Sequence, residues 1–279
     1  MRIKLGDYNP LTITKSVDFG LYLDGGDEGE ILLPSRYVPD NVAIGNQLEV
    51  FVYLDQDERP VATTEKPLAK VGDFAWLECA WTNQYGAFLS WGLMKDLFCP
   101  FREQKKRMQR GEHYIVHVHV DEESYRIAAS AKVERYLDTT QPPYHKGDAV
   151  EMLVWQKTDL GFKVIVDNRF AGLIYKDQIF QQVHTGDRLT GYVDQVRPDG
   201  KIDLRLQATG RQLTEDFAET LLLYLQEHDG YCDLGDKSEA EDIKRRFQVS
   251  KKTFKRAVGD LYKRRLIVPA PLEIRLIKE

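Results

Sequence analysis

The sequence predicts a mainly β chain, in which a small five-stranded barrel is repeated three times and is followed by a small domain of helices and strands. Two observations lead to this fold class. The first is an order of signals that recurs at the spacing of one small domain: a glycine inside a short strand, an apolar triplet, a Gly-x-x followed by an alternating strand, and a closing strand. The second is a change from a period of two to a helical period after Gly210.

The three copies share a strand glycine that apolar or aromatic residues flank: Gly20, Gly86 and Gly161. In each copy the four signals follow in the order given above. They fall at residues 18–23, 32–34, 45–52 and 59–63 in the first copy. They fall at residues 84–89, 97–100, 111–116 and 125–130 in the second, and at residues 159–164, 173–175, 186–193 and 201–206 in the third. Short strands with glycines at turns and bends favour a closed Greek-key barrel of the OB type over a sandwich. Prolines mark the joints, so we expect barrels over residues 1–66, 67–141 and 142–210. Residues 95–109, rich in basic side chains, are expected to form a helical insertion in the second barrel.

The remaining residues, 211–279, are predicted to form a winged helix-turn-helix. The first helix is predicted from one apolar face: Phe217, Leu221, Leu222 and Leu225. A capping box from Ser238 to Glu241 opens the second helix, and Ser250 caps the third. Two apolar segments at residues 266–268 and 272–276, separated by a proline-containing turn, predict the hairpin that forms the wing.

Charge is distributed unevenly along a chain whose net charge is −5. Residues 1–66 hold 6 basic and 12 acidic residues, whereas residues 243–265 hold ten basic residues and a single acidic one, Asp260. A solvated helix face is the alternative explanation for such a basic segment. The near absence of acids favours a polyanionic partner instead, and the outer side of the third helix then presents its cations to that partner: Lys251, Lys252, Lys255 and Arg256.

Several classes of protein are not indicated. The first residues lack the apolar run of a signal peptide, and no segment approaches membrane-spanning length, so we expect a cytoplasmic protein with no membrane partner. The three cysteines are far apart and form no zinc motif. His117 and His119 lie on one strand face without a third ligand cluster, and no catalytic motif stands out. We therefore expect no metal, no cofactor and no enzymatic activity.

The repeated order of strand glycine, apolar triplet and alternating strand resembles the RNA-binding repeat of ribosomal protein S1, here called the S1 domain. Three such modules followed by a winged helix resemble, over the whole chain, the CvfB (conserved virulence factor B) family of bacterial RNA-binding proteins. The resemblance implies a non-enzymatic protein that binds single-stranded RNA and regulates gene expression after transcription, with a role in virulence regulation.

The resemblance also implies where RNA binds, because the RNA face of S1 domains combines strand aromatics with basic residues near the last strand. The stacking residues by position are Phe19 and Tyr22 in the first module, Tyr85 and Phe88 in the second, and Tyr175 in the third. The basic residues are Arg59, Arg126, Lys163, Arg197 and Lys201, followed by Lys251, Lys252, Lys255 and Arg256 in the third helix. The third module departs from the pattern, since Leu160 and Lys163 replace the aromatic pair.

The path of the RNA is expected to run over the second and third modules and the winged helix. The first module, with its excess of carboxylates, is interpreted as a spacing or partner-binding unit. Core packing remains the alternative role for any single strand aromatic.

Two further functions stay open. The chain could be a transcription regulator that uses the winged helix on duplex DNA, with the barrels binding the transcription or translation machinery. It could also be a nuclease or an accessory subunit of one. The oligomeric state and the RNA target do not follow from the sequence.

Overall fold

The computed structural model describes residues 2–179, 181–207 and 211–277. The chain divides into two compact units between Leu137 and Asp138. The first unit contains two closed five-stranded barrels, and the second contains one such barrel and a domain of three helices and a small sheet. The predicted fold class is confirmed. The boundaries expected at residues 66 and 141 stay predictions, and the one expected at residue 210 falls on residues 208–210, outside the described residues.

The first barrel is closed in the strand order β1-β2-β3-β5-β4. Its strands are β1 Tyr8–Val17, β2 Gly20–Asp24, β3 Glu30–Pro34, β4 Gln47–Leu54 and β5 Pro60–Thr63. Neighbouring strands pair antiparallel except β3 and β5, which run parallel, because a closed barrel with five strands cannot alternate direction at every pair. Apolar side chains fill the centre, among them Leu23, Ile31 and Leu33, each fully buried.

The second barrel repeats this arrangement with the order β10-β8-β7-β6-β9. Its strands are β6 Phe74–Thr82, β7 Gly86–Ser90, β8 Leu97–Pro100, β9 His113–Val120 and β10 Ile127–Ser130. Its core does not end at its own strands, because Phe51, Tyr53 and Val61 of the first barrel belong to the same buried cluster. The two barrels of this unit therefore share a hydrophobic core.

The expected helix over residues 95–109 is wrong. This segment contains β8, a single 3-10 turn at Phe101–Glu103 and irregular chain. The buried amide of Gln104 donates to the carbonyl of Cys99 at 2.9 Å and accepts from the backbone N–H of Met108 at 3.1 Å. Met108 itself is buried in the barrel core. Side-chain hydrogen bonds and one anchored methionine thus replace the backbone ladder of a helix.

The third barrel has the order β11-β12-β13-β15-β14, with the same parallel pair between its third and fifth strands. Its strands are β11 Ala149–Lys157, β12 Gly161–Val166, β13 Phe170–Tyr175, β14 Arg188–Val196 and β15 Ile202–Arg205. All three barrels carry a register shift at the same place in their first strand, after Ile13, Cys79 and Val154. The shift re-aims the next residue toward the neighbouring second strand.

The strand glycines have one structural cause. At Gly20, Gly86 and Gly161, an added Cβ would lie within 2.4 Å of a carbonyl oxygen of the third strand of the same barrel. Any side chain at this position would push the second and third strands apart. The recurrent glycine therefore marks barrel closure, and it places the preceding residue, Phe19, Tyr85 or Leu160, at the exposed start of the second strand.

The C-terminal domain contains α1 Arg211–Glu227, β16 Tyr231–Cys232, α2 Ala240–Phe247, α3 Lys251–Lys263, β17 Ile267–Pro269 and β18 Ile274–Leu276. The strands form one sheet in the order β16-β18-β17, so the predicted hairpin gains a third, two-residue strand. The hydroxyl of Ser250 accepts from the backbone N–H of Thr253, which confirms the predicted cap. The hydroxyl of Ser238 instead accepts from the N–H of Gly235, and Glu239 is the N-cap of α2.

Candidate nucleic-acid interface

One candidate site is a groove beside the second barrel, with a volume of about 990 Å³. Four aromatic side chains of β6, β7, β8 and the turn between β6 and β7 line it: Trp81, Phe88, Phe98 and Tyr85. The loop after β4 of the first barrel and the loops after β7 and β9 of the second barrel also line it. We call this the barrel-2 groove.

Three rings in the barrel-2 groove are in contact with one another. Trp81 and Phe88 lie face to face, with ring centroids 3.7 Å apart and an angle of 2° between the planes, and the ring of Phe98 is tilted by 39° against Phe88 at a centroid distance of 5.0 Å. The indole N–H of Trp81 donates to the carboxylate of Asp96 at 2.9 Å, which fixes the orientation of the ring. Tyr85 stands at the rim, 65% exposed. Such a rigid, open set of π faces suits the stacking of unpaired bases.

Trp81 was not predicted from the sequence. It lies outside the recognised repeat motif, and only the register shift in β6 brings it opposite Phe88. At the same position after the register shift, the first barrel has Lys15, whose ammonium lies 5.6 Å from the ring of Tyr22. The third barrel has Gln156, which lies opposite Lys163 of the neighbouring strand. An alignment of the three first strands by their bulges is the signal that would have found it.

The predicted aromatic pair of the first barrel is partly exposed. Phe19 is 55% exposed and meets Tyr22 edge to face at 6.2 Å. In the third barrel, the hydroxyl of Tyr175 accepts a hydrogen bond from Arg197, and the ammonium of Lys163 lies 5.3 Å from the ring of Trp155. The structure brings no second exposed aromatic of the predicted set beside Tyr175.

Most of the predicted basic residues of the barrels are held by carboxylates of this chain. Arg59 bonds Asp55 and Asp57 at 2.9 and 2.8 Å, and Lys201 pairs with Asp199 at 3.1 Å. Arg197 is bound by Asp203, which is itself 5% exposed and also accepts from Gln195. Arg126 pairs with Glu58. A phosphate must therefore displace an existing partner at each of these positions.

The barrel-2 groove is accordingly not cationic. Three cations line it, Lys95, Arg102 and Arg126, against four carboxylates, those of Glu58, Asp96, Asp121 and Glu123. Arg102 is bound by both Asp121 and Glu123, at 2.6 and 3.1 Å. The backbone N–H of Ser124 and the guanidinium of Arg102 hold the pKa of Asp121 below its ordinary value, so this carboxylate stays charged near neutral pH.

The third helix of the C-terminal domain presents a different surface. Its buried side is Phe254, Ala257, Val258 and Leu261. The opposite side carries Lys252, Arg256 and Lys263 at helical spacing, and none of them has an ion-pair partner among the residues whose side chains are described. Gly259 lies on the same side, with no heavy atom within 4 Å of the place where a Cβ would stand. We call this surface the α3 stripe.

The other predicted cations near α3 are placed differently. Lys251 is half-buried at the first position of the helix, and the ammonium of Lys255 lies 4.0 Å from the carboxylate of Asp236. Arg246 pairs with Asp233, and Arg264 with Glu219 at 2.8 Å. The basic segment thus contains cations that pair with carboxylates of other elements, such as Arg246 and Arg264, and the exposed cations of the α3 stripe.

The histidine pair lies outside these surfaces. His117 is buried and stacks on Tyr136 at a centroid distance of 4.0 Å, and His119 is tilted against the same ring at 5.2 Å. Burial, together with the neighbouring His119, lowers the pKa of His117 to about 4. Among the residues that the structure describes, no group of three or more His, Cys, Asp or Glu side chains is arranged to hold a metal ion. Within the same residues, no helix combines the length and apolar character needed to span a bilayer.

The sequence and the fold are similar to those of known proteins. Residues 5–65 match the family model of the S1 domain, and residues 219–276 match that of the CvfB-like winged helix domain. The chain is 29% identical over 269 residues to uncharacterized protein YitL of Bacillus subtilis, covering 92% of this chain and 89% of the relative. It is 23% identical over 251 residues to conserved virulence factor B of Staphylococcus aureus strain N315, covering 86% and 82%. A crystal structure of a multidomain protein with nucleic acid binding domains from Streptococcus pneumoniae aligns over 98% of both chains, at 22% identity and a TM-score of 0.45.

OB-type barrels and winged helices are both classes of domain that bind nucleic acids, so the chain is assembled from nucleic-acid-binding domains. The more particular resemblance, to the CvfB family, is confirmed by the S1 domain at one end, the CvfB-like winged helix domain at the other, and the relatives that match across most of the length.

Proposed function

We propose that this protein binds single-stranded RNA without catalysing a reaction, and that it regulates gene expression after transcription in the cytoplasm. The observation that carries the proposal is the cluster of Trp81 stacked on Phe88, with Phe98 packed beside them, in an open groove that has Tyr85 at its rim. Each base that stacks on such a ring contributes roughly 1–3 kcal/mol, whatever its sequence. A duplex keeps its bases stacked on each other and cannot use these rings.

The α3 stripe supplies what the barrel-2 groove lacks. Lys252, Arg256 and Lys263 are exposed cations with no described ion-pair partner, so they are available to phosphates without the loss of an existing bond. Phosphate contacts attract any polynucleotide and weaken with salt, because bound counterions are released. We infer that the α3 stripe provides sequence-independent attraction and that the aromatic groove provides selectivity for unpaired strands.

The third barrel contributes more weakly in this proposal. Lys163 is exposed there, but Arg197 is committed to Asp203 and the predicted aromatic pair is replaced by Leu160 and Lys163. The first barrel acts mainly by supporting the second, since it shares Phe51, Tyr53 and Val61 with the core of that barrel.

A competition experiment tests the proposal. A fluorescein-labelled oligouridylate of about 12 nucleotides, within the site size of OB folds, is bound to the full chain and followed by fluorescence anisotropy. Unlabelled single-stranded RNA should displace it at much lower concentration than a duplex DNA of equal length. Failure of the chain to bind the oligouridylate at low ionic strength would refute the proposal.

A second candidate function is a regulator that binds duplex DNA through the winged helix. The α3 stripe favours it, because the exposed side of a recognition helix is the surface that enters the major groove. Preferential displacement of the labelled RNA by duplex DNA would support this function instead. In that case Trp81→Ala should leave duplex binding unchanged.

A further inference from the structure

One corner of the barrel-2 groove is built from both barrels of the first unit. Arg126, at the end of the loop after β9, is paired with Glu58, in the loop after β4 of the first barrel. Beside them, the ammonium of Lys95 donates to the backbone carbonyl of Asp55 at 2.6 Å. All three charged side chains line the groove. Two cations of the second barrel therefore meet one carboxylate of the first.

The turn that holds Glu58 does not require a glutamate. Its φ is 65°, in the left-handed region that favours glycine, and the turn is closed by its N–H, which donates to the carbonyl of Asp55. In the third barrel, the corresponding turn uses Gly200, with φ 78° and the same hydrogen bond to Arg197. A glycine would thus fit the turn of the first barrel without strain. The loop after β9 of the second barrel also holds a non-glycine residue, Tyr125, at a φ of 54°, so the observation that points to the carboxylate is its pairing with Arg126 and not the backbone.

We propose that Glu58 sets the phosphate affinity of the barrel-2 groove by occupying Arg126, so that an unpaired strand is held there mainly through its bases. This inference rests on the proposed function. The carboxylate of the first barrel competes with the phosphates of the ligand for the same guanidinium, and the acidic first barrel thereby lowers the affinity of the second for polyanions in general.

The geometry permits this competition. The side chains of Arg126 and Glu58 are 55% and 47% exposed, so an incoming phosphate can reach the guanidinium as the carboxylate leaves. An exposed ion pair of this kind is weak and is exchanged at little cost. Burial lowers the pKa of Lys95, and Arg126 lowers it further, while Glu58 opposes both effects. Without Glu58, Arg126 would lose its carboxylate partner, and Asp55 would remain to offset the charge of Lys95.

The remaining arginine of the groove shows the same principle. Arg102 is bound by Asp121 and Glu123. These three residues and Arg126 all line the barrel-2 groove. The aromatic floor is therefore surrounded by guanidinium groups that already have carboxylate partners. A ligand with bases to stack can bind here, whereas a polyanion without bases gains little.

The test compares Glu58→Gln with Glu49→Gln in the full chain. Glu49 is exposed on β4 of the same barrel and does not line the groove, so its replacement changes the net charge equally. The dissociation constant of the labelled oligouridylate is measured at several salt concentrations. We expect Glu58→Gln to bind about two- to fivefold more tightly at low salt, the range that an exposed ion pair allows. The slope of log affinity against log salt should steepen by about 0.7, the value for one additional bound phosphate of a single strand.

Two further variants make the outcome decisive. Glu58→Gly relieves the left-handed backbone and removes the carboxylate, so it should bind like Glu58→Gln even if the amide side chain makes new contacts. In the Arg126→Ala background, Glu58→Gln should give a smaller gain, because only Lys95 then remains beside it. Equal slopes for Glu58→Gln and Glu49→Gln, with normal binding by the wild type, would overturn this inference alone. Loss of all binding by the wild type would overturn the proposed function and this inference with it.

Discussion

Phe51 of the first barrel packs edge to face against Trp91 of the second, with ring centroids 5.8 Å apart and both side chains buried. The contact belongs to a cluster that includes core residues of the second barrel, such as Leu89 and Val116. The first two barrels are thus joined through their interiors and not only through a linker. Removal of residues 1–66 would expose this cluster, so the role of the first barrel is better tested by single substitutions than by deletion.

Phe51→Ala should destabilise both barrels of the first unit. Truncation of a fully buried phenylalanine removes about 3–5 kcal/mol of stability. Hydrogen exchange followed by mass spectrometry should show faster exchange in β6–β10 as well as in β1–β5, while β11–β15 serve as the internal reference. Faster exchange confined to β1–β5 would contradict the shared core.

Trp81→Ala should weaken binding of single-stranded RNA by about tenfold, within the 1–3 kcal/mol that one stacked base contributes. The dependence on salt should stay the same, because an indole ring binds a base and neutralises no phosphate. Trp76→Ala is the matched control: Trp76 lies on the same strand, is also partly exposed and stacks on His113, but does not line the groove. Equal losses of affinity for the two variants in an anisotropy titration would show that the effect is structural.

The double variant Lys252→Ala, Arg256→Ala should weaken RNA binding and flatten its salt dependence by about 0.7 for each phosphate that is no longer neutralised. Arg264→Ala is the control, since Arg264 is engaged by Glu219 and lies off the α3 stripe. The slope of log affinity against log salt is measured for the double variant and for the control by titrations at several salt concentrations. An unchanged slope in the double variant would mean that nucleic acid binds elsewhere.

His117 should make the first unit less stable in mild acid. Burial lowers its pKa in the folded protein to about 4, from 6.5, so the folded state keeps the ring neutral while the unfolded chain takes up a proton below pH 6.5. The stabilisation is complete above about pH 6.5 and is lost progressively between pH 6.5 and 4, by about 3 kcal/mol. Urea denaturation of the wild type and of His117→Gln should show a difference in unfolding free energy that shrinks as the pH falls. A difference in unfolding free energy that does not change with pH would contradict the lowered pKa of His117 in the folded protein.

Much of the fold could be predicted because its signals are local. Gly20, Gly86 and Gly161 recur since a side chain there would strike the neighbouring strand, and the helices of the C-terminal domain are visible in their apolar faces. The two-residue strand β16 was missed, because it exists only through its pairing with β18. The helix expected over residues 95–109 failed because Gln104 and Met108 fold that segment onto the barrel.

The candidate site was less predictable, because it depends on contacts between distant residues. Trp81 faces Phe88 only through the bulge in β6, and Glu58 reaches Arg126 only because the two barrels share a core. The charge of the predicted arginines could be read from the sequence, but their carboxylate partners could not. The α3 stripe was found in part, since helical periodicity separates Lys252 and Arg256 from the buried face.

The most direct test of the central claim is a map of ultraviolet crosslinks between the full chain and single-stranded oligouridylate, read by mass spectrometry. Bases stacked on aromatic rings lie at van der Waals distance from them, so crosslinked peptides should contain Trp81, Tyr85, Phe88 or Phe98, with weaker crosslinks near α3. Trp81→Ala should reduce the first set relative to the second. Bound RNA that crosslinks only outside the barrel-2 groove would contradict the account.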